Sequence, residues 1–284
     1  MRNTLKTTVL LAGLGGLMVL IGSFFGTTGA VIGLVVGLAF VGGSYWFSDT
    51  IAIRAARARE VTEAEMPEYF AIVRDLAARA DMPMPRLYVS PEAQPNAFAT
   101  GRNPEHAAVA VTEGILQVLT WDELRGVLAH EISHVGNRDI LISSVAAAVA
   151  MGITFSARMV MWGAMLGGGG GGDRDRDGGI FGLLAMALLA PLAAAVLQMA
   201  LSRSREFEAD RSGAALLGDG EGLARALQKI DAYAHQVPMQ IDQAHAQAYI
   251  INPLSGRRVQ FASLFRTHPP TEERVARLRA GAWR

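Results

Sequence analysis

The chain has 284 residues, 26 Lys+Arg against 26 Asp+Glu, no cysteine and 51% hydrophobic residues. Zero net charge speaks against an extended nucleic-acid-binding surface, which needs a concentrated basic stripe, and the lack of cysteine excludes a disulfide scaffold and any thiolate metal site. Charged residues make up 18% of the chain, below the roughly 25% of a soluble domain, and the shortfall is concentrated in long uncharged runs, as in a membrane protein with a soluble part.

Residues 7–48 contain no charge. A helix needs about 20 apolar residues to cross a bilayer, so this stretch predicts two crossings with Gly26-Thr27-Thr28-Gly29 as the turn between them. The second long run follows the first almost at once, which favours retained crossings over a cleaved signal peptide. Two more uncharged runs, 140–157 and 178–202, read as a second membrane hairpin, with two buried core helices as the alternative. Pro191 would kink the last of them, a feature membrane helices tolerate.

The two later runs are joined by six glycines, 167–172, and the charged stretch Asp173-Arg174-Asp175-Arg176-Asp177. This loop lacks the Lys-Ser/Thr of a phosphate-binding loop, and neither lysine of the chain, Lys6 or Lys229, follows such a glycine pattern. No ATP-driven motor is expected. Flanking positive charge sets orientation. Arg2, Lys6, Arg54, Arg57, Arg59, Arg138, Arg203, Arg205 and Arg211 border the runs on one side, so both termini and both polar segments are expected in the cytoplasm.

The polar segments predict an amphipathic helix over 66–81, with Pro67 in its first turn and Phe70, Val73, Leu76 and Ala77 on its apolar side. Met82-Pro83-Met84-Pro85 stops it. Residues 86–90 and 107–111 read as short strands, with Asn96-Ala97-Phe98-Ala99-Thr100 as another between them. Thr120-Trp121-Asp122-Glu123 is a capping-box pattern opening a helix with Leu124, Val127 and Leu128 on its apolar face. That helix is expected to run on toward the third crossing.

It carries His130-Glu131-Ile132-Ser133-His134. Histidines four apart lie on one helix face, so both imidazoles can reach one metal ion, and the glutamate beside the first is placed to deprotonate water. At this chain's His and Glu frequencies about 0.006 such matches arise by chance. A hydrolytic zinc needs a third protein ligand and an open position. The metzincin extension is absent, because Asn137 and Ile140 stand where its glycine and histidine would be. No glutamate occurs between Glu131 and Glu206, so a glutamate ligand must come from beyond the second hairpin. Glu206 and Asp210 share a helix face there, while Glu208 points elsewhere. Spacing alone leaves these acids equally readable as a solvated face.

Three segments then carry a resemblance: His130-Glu131-Ile132-Ser133-His134, the Ser-Arg-x-x-Glu-Phe-x-Ala-Asp pattern over 202–210, and His268-Pro269-Pro270-Thr271-Glu272-Glu273-Arg274. With the membrane runs they resemble the HtpX-type membrane metalloproteases, relatives of the CAAX prenyl proteases, and Asn96-Ala97-Phe98 also matches a stretch found there. The resemblance implies a bacterial inner-membrane zinc endopeptidase of protein quality control, acting on misfolded or damaged membrane proteins, with one zinc ion per chain. It implies Glu206 as third ligand, Asp210 supporting the site from behind, and a His-Pro segment at His268. The hexaglycine loop departs from the family pattern. The expected fold is a mainly α membrane protein: four predicted transmembrane helices plus a cytosolic α+β zincin-like metalloprotease domain. Its parts are a transmembrane hairpin (1–48), the first catalytic segment (49–139), a second apolar hairpin (140–202) and the second catalytic segment (203–284).

In that reading Glu131 is the general base. His268 or Arg203 is a candidate second electrophile for the oxyanion, with helix entry as the alternative role of His268. Asn96, Ala97 and Phe98 would bind substrate as an edge strand pairing with an extended peptide, or form an ordinary core strand. Partners are the lipid bilayer and protein or peptide substrates. A dedicated processing protease and a zinc-binding membrane chaperone are the rival readings; an intact Glu131 argues against the second.

Overall fold

The computed structural model describes residues 26–140, 203–236 and 269–284, with three isolated positions before them. The first predicted crossing, the second hairpin beyond Ile140, and His268 lie outside the described residues. Helix α1 (Gly26–Trp46) covers the second predicted crossing. All four residues of the expected turn, from Gly26 at φ 80° to Gly29, instead belong to the first turn of this helix. Counted over the described side chains, no helix is long and apolar enough to cross a membrane. The backbone of α1 nevertheless runs through 21 residues without a charge, a rise of about 32 Å. Val31, Val35 and Leu38 on it are 56–62% exposed.

Helix α2 (Ser48–Ala55) follows after one residue and leads to β1 (Arg59–Glu60) and α3 (Pro67–Arg79). Pro67 fits the first helical turn, and Glu68 and Arg79 complement the helix dipole at its two ends. The buried face of α3 is Tyr69, Val73, Leu76 and Ala77, spaced for one helical stripe. Phe70, expected on that face, is half-buried. Tyr69 takes the interior place because its hydroxyl can donate to the Val109 carbonyl at 3.1 Å, which satisfies its one polar atom.

Strands β2 (Arg86–Ser90), β3 (Ala97–Thr100) and β4 (Ala108–Thr112) join β1 in a four-stranded sheet of order β1-β2-β4-β3. β2 and β4 are parallel, and the two outer strands are antiparallel to their neighbours. All five residues of central β4 are buried, as expected for a strand covered on both faces. Alternation sends Leu87, Val89, Val109 and Val111 into the main core, and Tyr88, Ala108 and Ala110 against Ile53 of α2.

A short helix α4 (Glu113–Val118), unanticipated from the sequence, precedes α5 (Trp121–Gly136). The capping box forms as read: Thr120 Oγ1 accepts from the Glu123 N–H and Glu123 Oε2 accepts from the Thr120 N–H. Glu123 also meets Lys229 Nζ at 2.8 Å, on α7 (Glu221–Gln236). The expected continuation of α5 into the third crossing is corrected. The helix stops at Gly136, Arg138 takes a left-handed φ of 55°, and the chain turns. α5 packs on α3, β3, α7 and α6 (Arg203–Leu217), and α8 (Thr271–Arg279) closes over α6 and α7. At Gly213 a Cβ would lie 2.9 Å from the His130 backbone nitrogen. Only a glycine lets α6 approach α5 this closely.

Candidate metal centre

The face of α6 that meets α5 carries Glu206, Asp210 and Gly213, which fall within about 60° of one another at 100° per residue. Glu206 thereby reaches the two histidines of α5. His130 Nε2 and His134 Nε2 are 3.1 Å apart, and each lies 3.7 Å from a Glu206 carboxylate oxygen. Among the described residues, these three form a group able to hold a metal ion, with ligand atoms within 4.8 Å of one another.

The opposite side of each ring explains why both Nε2 atoms face inward. His130 Nδ1 is 2.9 Å from Asp210, and His134 Nδ1 is 3.0 Å from Asp139. An ionised carboxylate only accepts, so each Nδ1 carries the hydrogen and each Nε2 presents a lone pair. Two lone pairs and a carboxylate converging without a cation would repel. Four-coordinate zinc with bonds of about 2.0–2.2 Å sets its ligand atoms roughly 3.4 Å apart. The two Nε2 atoms are 3.1 Å apart, and each is 3.7 Å from a different Glu206 oxygen, so the carboxylate is one small closing movement away from that spacing. The donor set fits zinc.

Electrostatics agree. Burial alone would lower the pKa of His134, but Asp139, Glu206 and Glu131 outweigh it and lift the imidazole to about 10. The cluster thus favours a positive charge at Nε2: a proton when no metal is bound, and a metal ion in its place when one is. Asp210 is itself buried, yet Arg274 holds its carboxyl well below the usual range. Arg274, on α8, is 1% exposed and grips both Asp210 oxygens, at 2.7 and 2.8 Å.

Glu131 is buried beside the cluster, and its Oε2 accepts from the Ala99 backbone N–H at 2.9 Å. Burial pushes its carboxyl upward, against the pull of His130 and His134, which moves a base toward neutral pH. Among the described residues β3 pairs with β4 alone, so Asn96, Ala97 and Phe98 lie in or just before an outer strand of the described sheet. Through Ala99 that strand holds the glutamate of the motif. Asn96 itself is buried, its N–H bonded to Thr112 Oγ1 at 2.9 Å and its carbonyl to the Thr112 N–H at 2.9 Å.

Glu208 turns outward and pairs with Arg211 on the surface. Arg203 is exposed at the start of α6, while Arg205 is half-buried near Asp139 and Glu206. His268 lies outside the described residues; Pro269, the next residue in the chain, is buried where α8 begins. Sequence reasoning missed Asp139, whose one signal was an acid a single turn past the second histidine. Arg274 was seen only as part of a pattern, without its partner.

Residues 63–282 match Peptidase family M48. The chain belongs to that family. A "Protease HtpX homolog" of Syntrophobacter fumaroxidans is 52% identical over 283 residues, covering 99% of this chain and 100% of its own. A protein of the same name from Burkholderia mallei is 50% identical over 282 residues, covering 98% and 96%. This places the chain with the HtpX-type members of M48, so it is a metalloprotease. The crystal structure of S. mikatae Ste24p aligns with 98% of this chain at 16% identity and a TM-score of 0.49. The chain spans 65% of that protein's length.

Proposed function

We propose that this M48 metalloprotease is a membrane-embedded zinc endopeptidase that hydrolyses peptide bonds of misfolded or damaged membrane proteins. It sits in the bacterial inner membrane as a multi-pass protein, with its catalytic segments in the cytosol: 49–139 between hairpins 1–48 and 140–202, and 203–284 after the second. The uncharged runs and their flanking arginines support the placement. A reporter fused after Arg284 should then be active only on the cytoplasmic side.

One observation carries the catalytic reading: Glu131 is fixed by Ala99 at the outer edge of β3, beside the His130–His134–Glu206 cluster. His130, His134 and Glu206 hold the zinc ion; when bound, it supplies a Lewis acid that acidifies water and polarises a carbonyl. Glu131 takes the proton of the attacking water and delivers it to the leaving amine. Asp210 and Asp139 hold the two imidazoles in the ligating tautomer. Asn96, bonded to Thr112, anchors the start of β3, and Ala97 and Phe98 continue the strand along which an extended substrate pairs by its backbone. His268, next to buried Pro269, serves the developing oxyanion. Backbone pairing reads little side-chain identity, which favours a broad quality-control protease over a processing enzyme with one substrate. Cleavage of casein in detergent with zinc restored tests this. The intact protein should degrade it and Glu131→Gln should not.

A further inference from the structure

The edge strand that touches Glu131 is also tied to the end of α1. Ala99, whose N–H binds Glu131, is three residues from Arg102. The Arg102 guanidinium lies 4.8 Å from the centre of the Trp46 ring, and its Nη1 reaches the Trp46 carbonyl at 3.5 Å. Trp46 is the last residue of uncharged α1, Tyr45 packs edge-on against it, and Trp46 and Phe47 are 58% and 59% exposed. Consecutive aromatics ending an uncharged helix, with a guanidinium over one ring, are the composition of a headgroup belt.

No flexible linker separates this belt from the sheet. α2 starts at Ser48, which is buried, and Ile53 packs on Tyr88, Ala108 and Ala110. Asp49 pairs with Arg86 at 2.6 Å, Ser90 Oγ donates to the Ala56 carbonyl at 2.6 Å, and Arg57 pairs with Glu92 at 2.5 Å. The height of the edge strand above the level of Trp46 is therefore set by packing. A strand advances at most about 3.4 Å per residue, so the three-residue step from Arg102 to Ala99 covers no more than about 10 Å.

We propose that the centre is built to cut the first extended residues of a membrane-anchored substrate after they leave the bilayer, and that these residues reach it alongside β3 at the level of Ala99. This rests on the membrane and protease readings above and adds a distance rule. A bond becomes cleavable once about three to four extended residues separate it from the substrate's membrane helix.

The test uses the full-length protein in proteoliposomes with zinc, and substrates that carry one cleavable sequence. That sequence stands after a spacer of about two to twelve extended residues from a transmembrane helix. Casein is run alongside. The expected result is that cleavage switches on between roughly two and four spacer residues. If casein is degraded but no spacer of about four residues or fewer is cut, the distance rule is overturned and the protease reading stands. If neither is degraded, the protease reading itself falls. Arg102→Ala, away from the catalytic cluster, should leave casein degradation unchanged and lower cutting of the shortest cleavable spacer several-fold. Equal cutting by this variant at every spacer would contradict the role given to the Arg102–Trp46 tie.

Discussion

Arg274 grips Asp210 through two parallel hydrogen bonds, Nε to Oδ2 at 2.8 Å and Nη2 to Oδ1 at 2.7 Å, both side chains being almost fully buried. Asp210 in turn sits 2.9 Å from His130 Nδ1. A helix 64 residues downstream thus fixes the orientation of the first histidine. Removing the guanidinium with Arg274→Met leaves a buried carboxylate uncompensated, at a cost of about 3–5 kcal/mol. Arg274→Lys keeps the charge but not the fork, so melting and metal titration should place it between the parent and Arg274→Met.

Glu206, Glu208 and Asp210 lie on one helix but face differently. Glu206 and Asp210 are buried at the cluster, and Glu208 is paired with Arg211 in solvent. Metal content after dialysis should fall most in Glu206→Gln, by about 10–100-fold in affinity for Asp210→Asn, and hardly at all in Glu208→Gln. A Glu208→Gln variant that emptied the site while Glu206→Gln stayed loaded would reverse the assignment.

Asp139 does for His134 what Asp210 does for His130, at 3.0 Å from Nδ1. Asp139→Ala frees the ring to rotate and to change tautomer, so zinc affinity should drop about 10–100-fold. Isothermal titration of the metal-stripped protein reads this without any substrate. Unchanged affinity would show that the contact does not orient the ligand.

At Gly213 the limit is space. A Cβ there would be 2.9 Å from the His130 nitrogen and 3.0 Å from the Ala129 carbonyl carbon, both backbone atoms that cannot turn aside. Gly213→Ala must push α6 from α5 and carry Glu206 away from the histidines. Overpacking of this kind costs about 1–3 kcal/mol. A lower melting temperature with reduced metal retention is expected; a stable, fully loaded variant would refute the close approach.

What could be read in advance was local. The capping box at Thr120, the shared face of His130 and His134, and the outward turn of Glu208 all follow from helical spacing within a few residues. The break after α5 did not, because Arg138 at positive φ carries no glycine signal, and without that break Asp139 would not be placed to meet His134. Tyr69 displaced Phe70 from the interior because its hydroxyl found the Val109 carbonyl, 40 residues away. The Arg274–Asp210 pair likewise leaves no periodic trace. Distant pairing of single residues is fixed by the assembled core, and the sequence pattern is silent about it.

The central claim is that Glu131, held by the Ala99 N–H beside the His130–His134–Glu206 cluster, is the base of a metal-dependent hydrolysis. Glu131→Gln keeps the shape and removes the proton acceptor. Casein degradation and bound zinc should be measured on the same preparation. The account predicts parent-level zinc with cleavage lost. Cleavage at the parent rate in the zinc-loaded variant would contradict it.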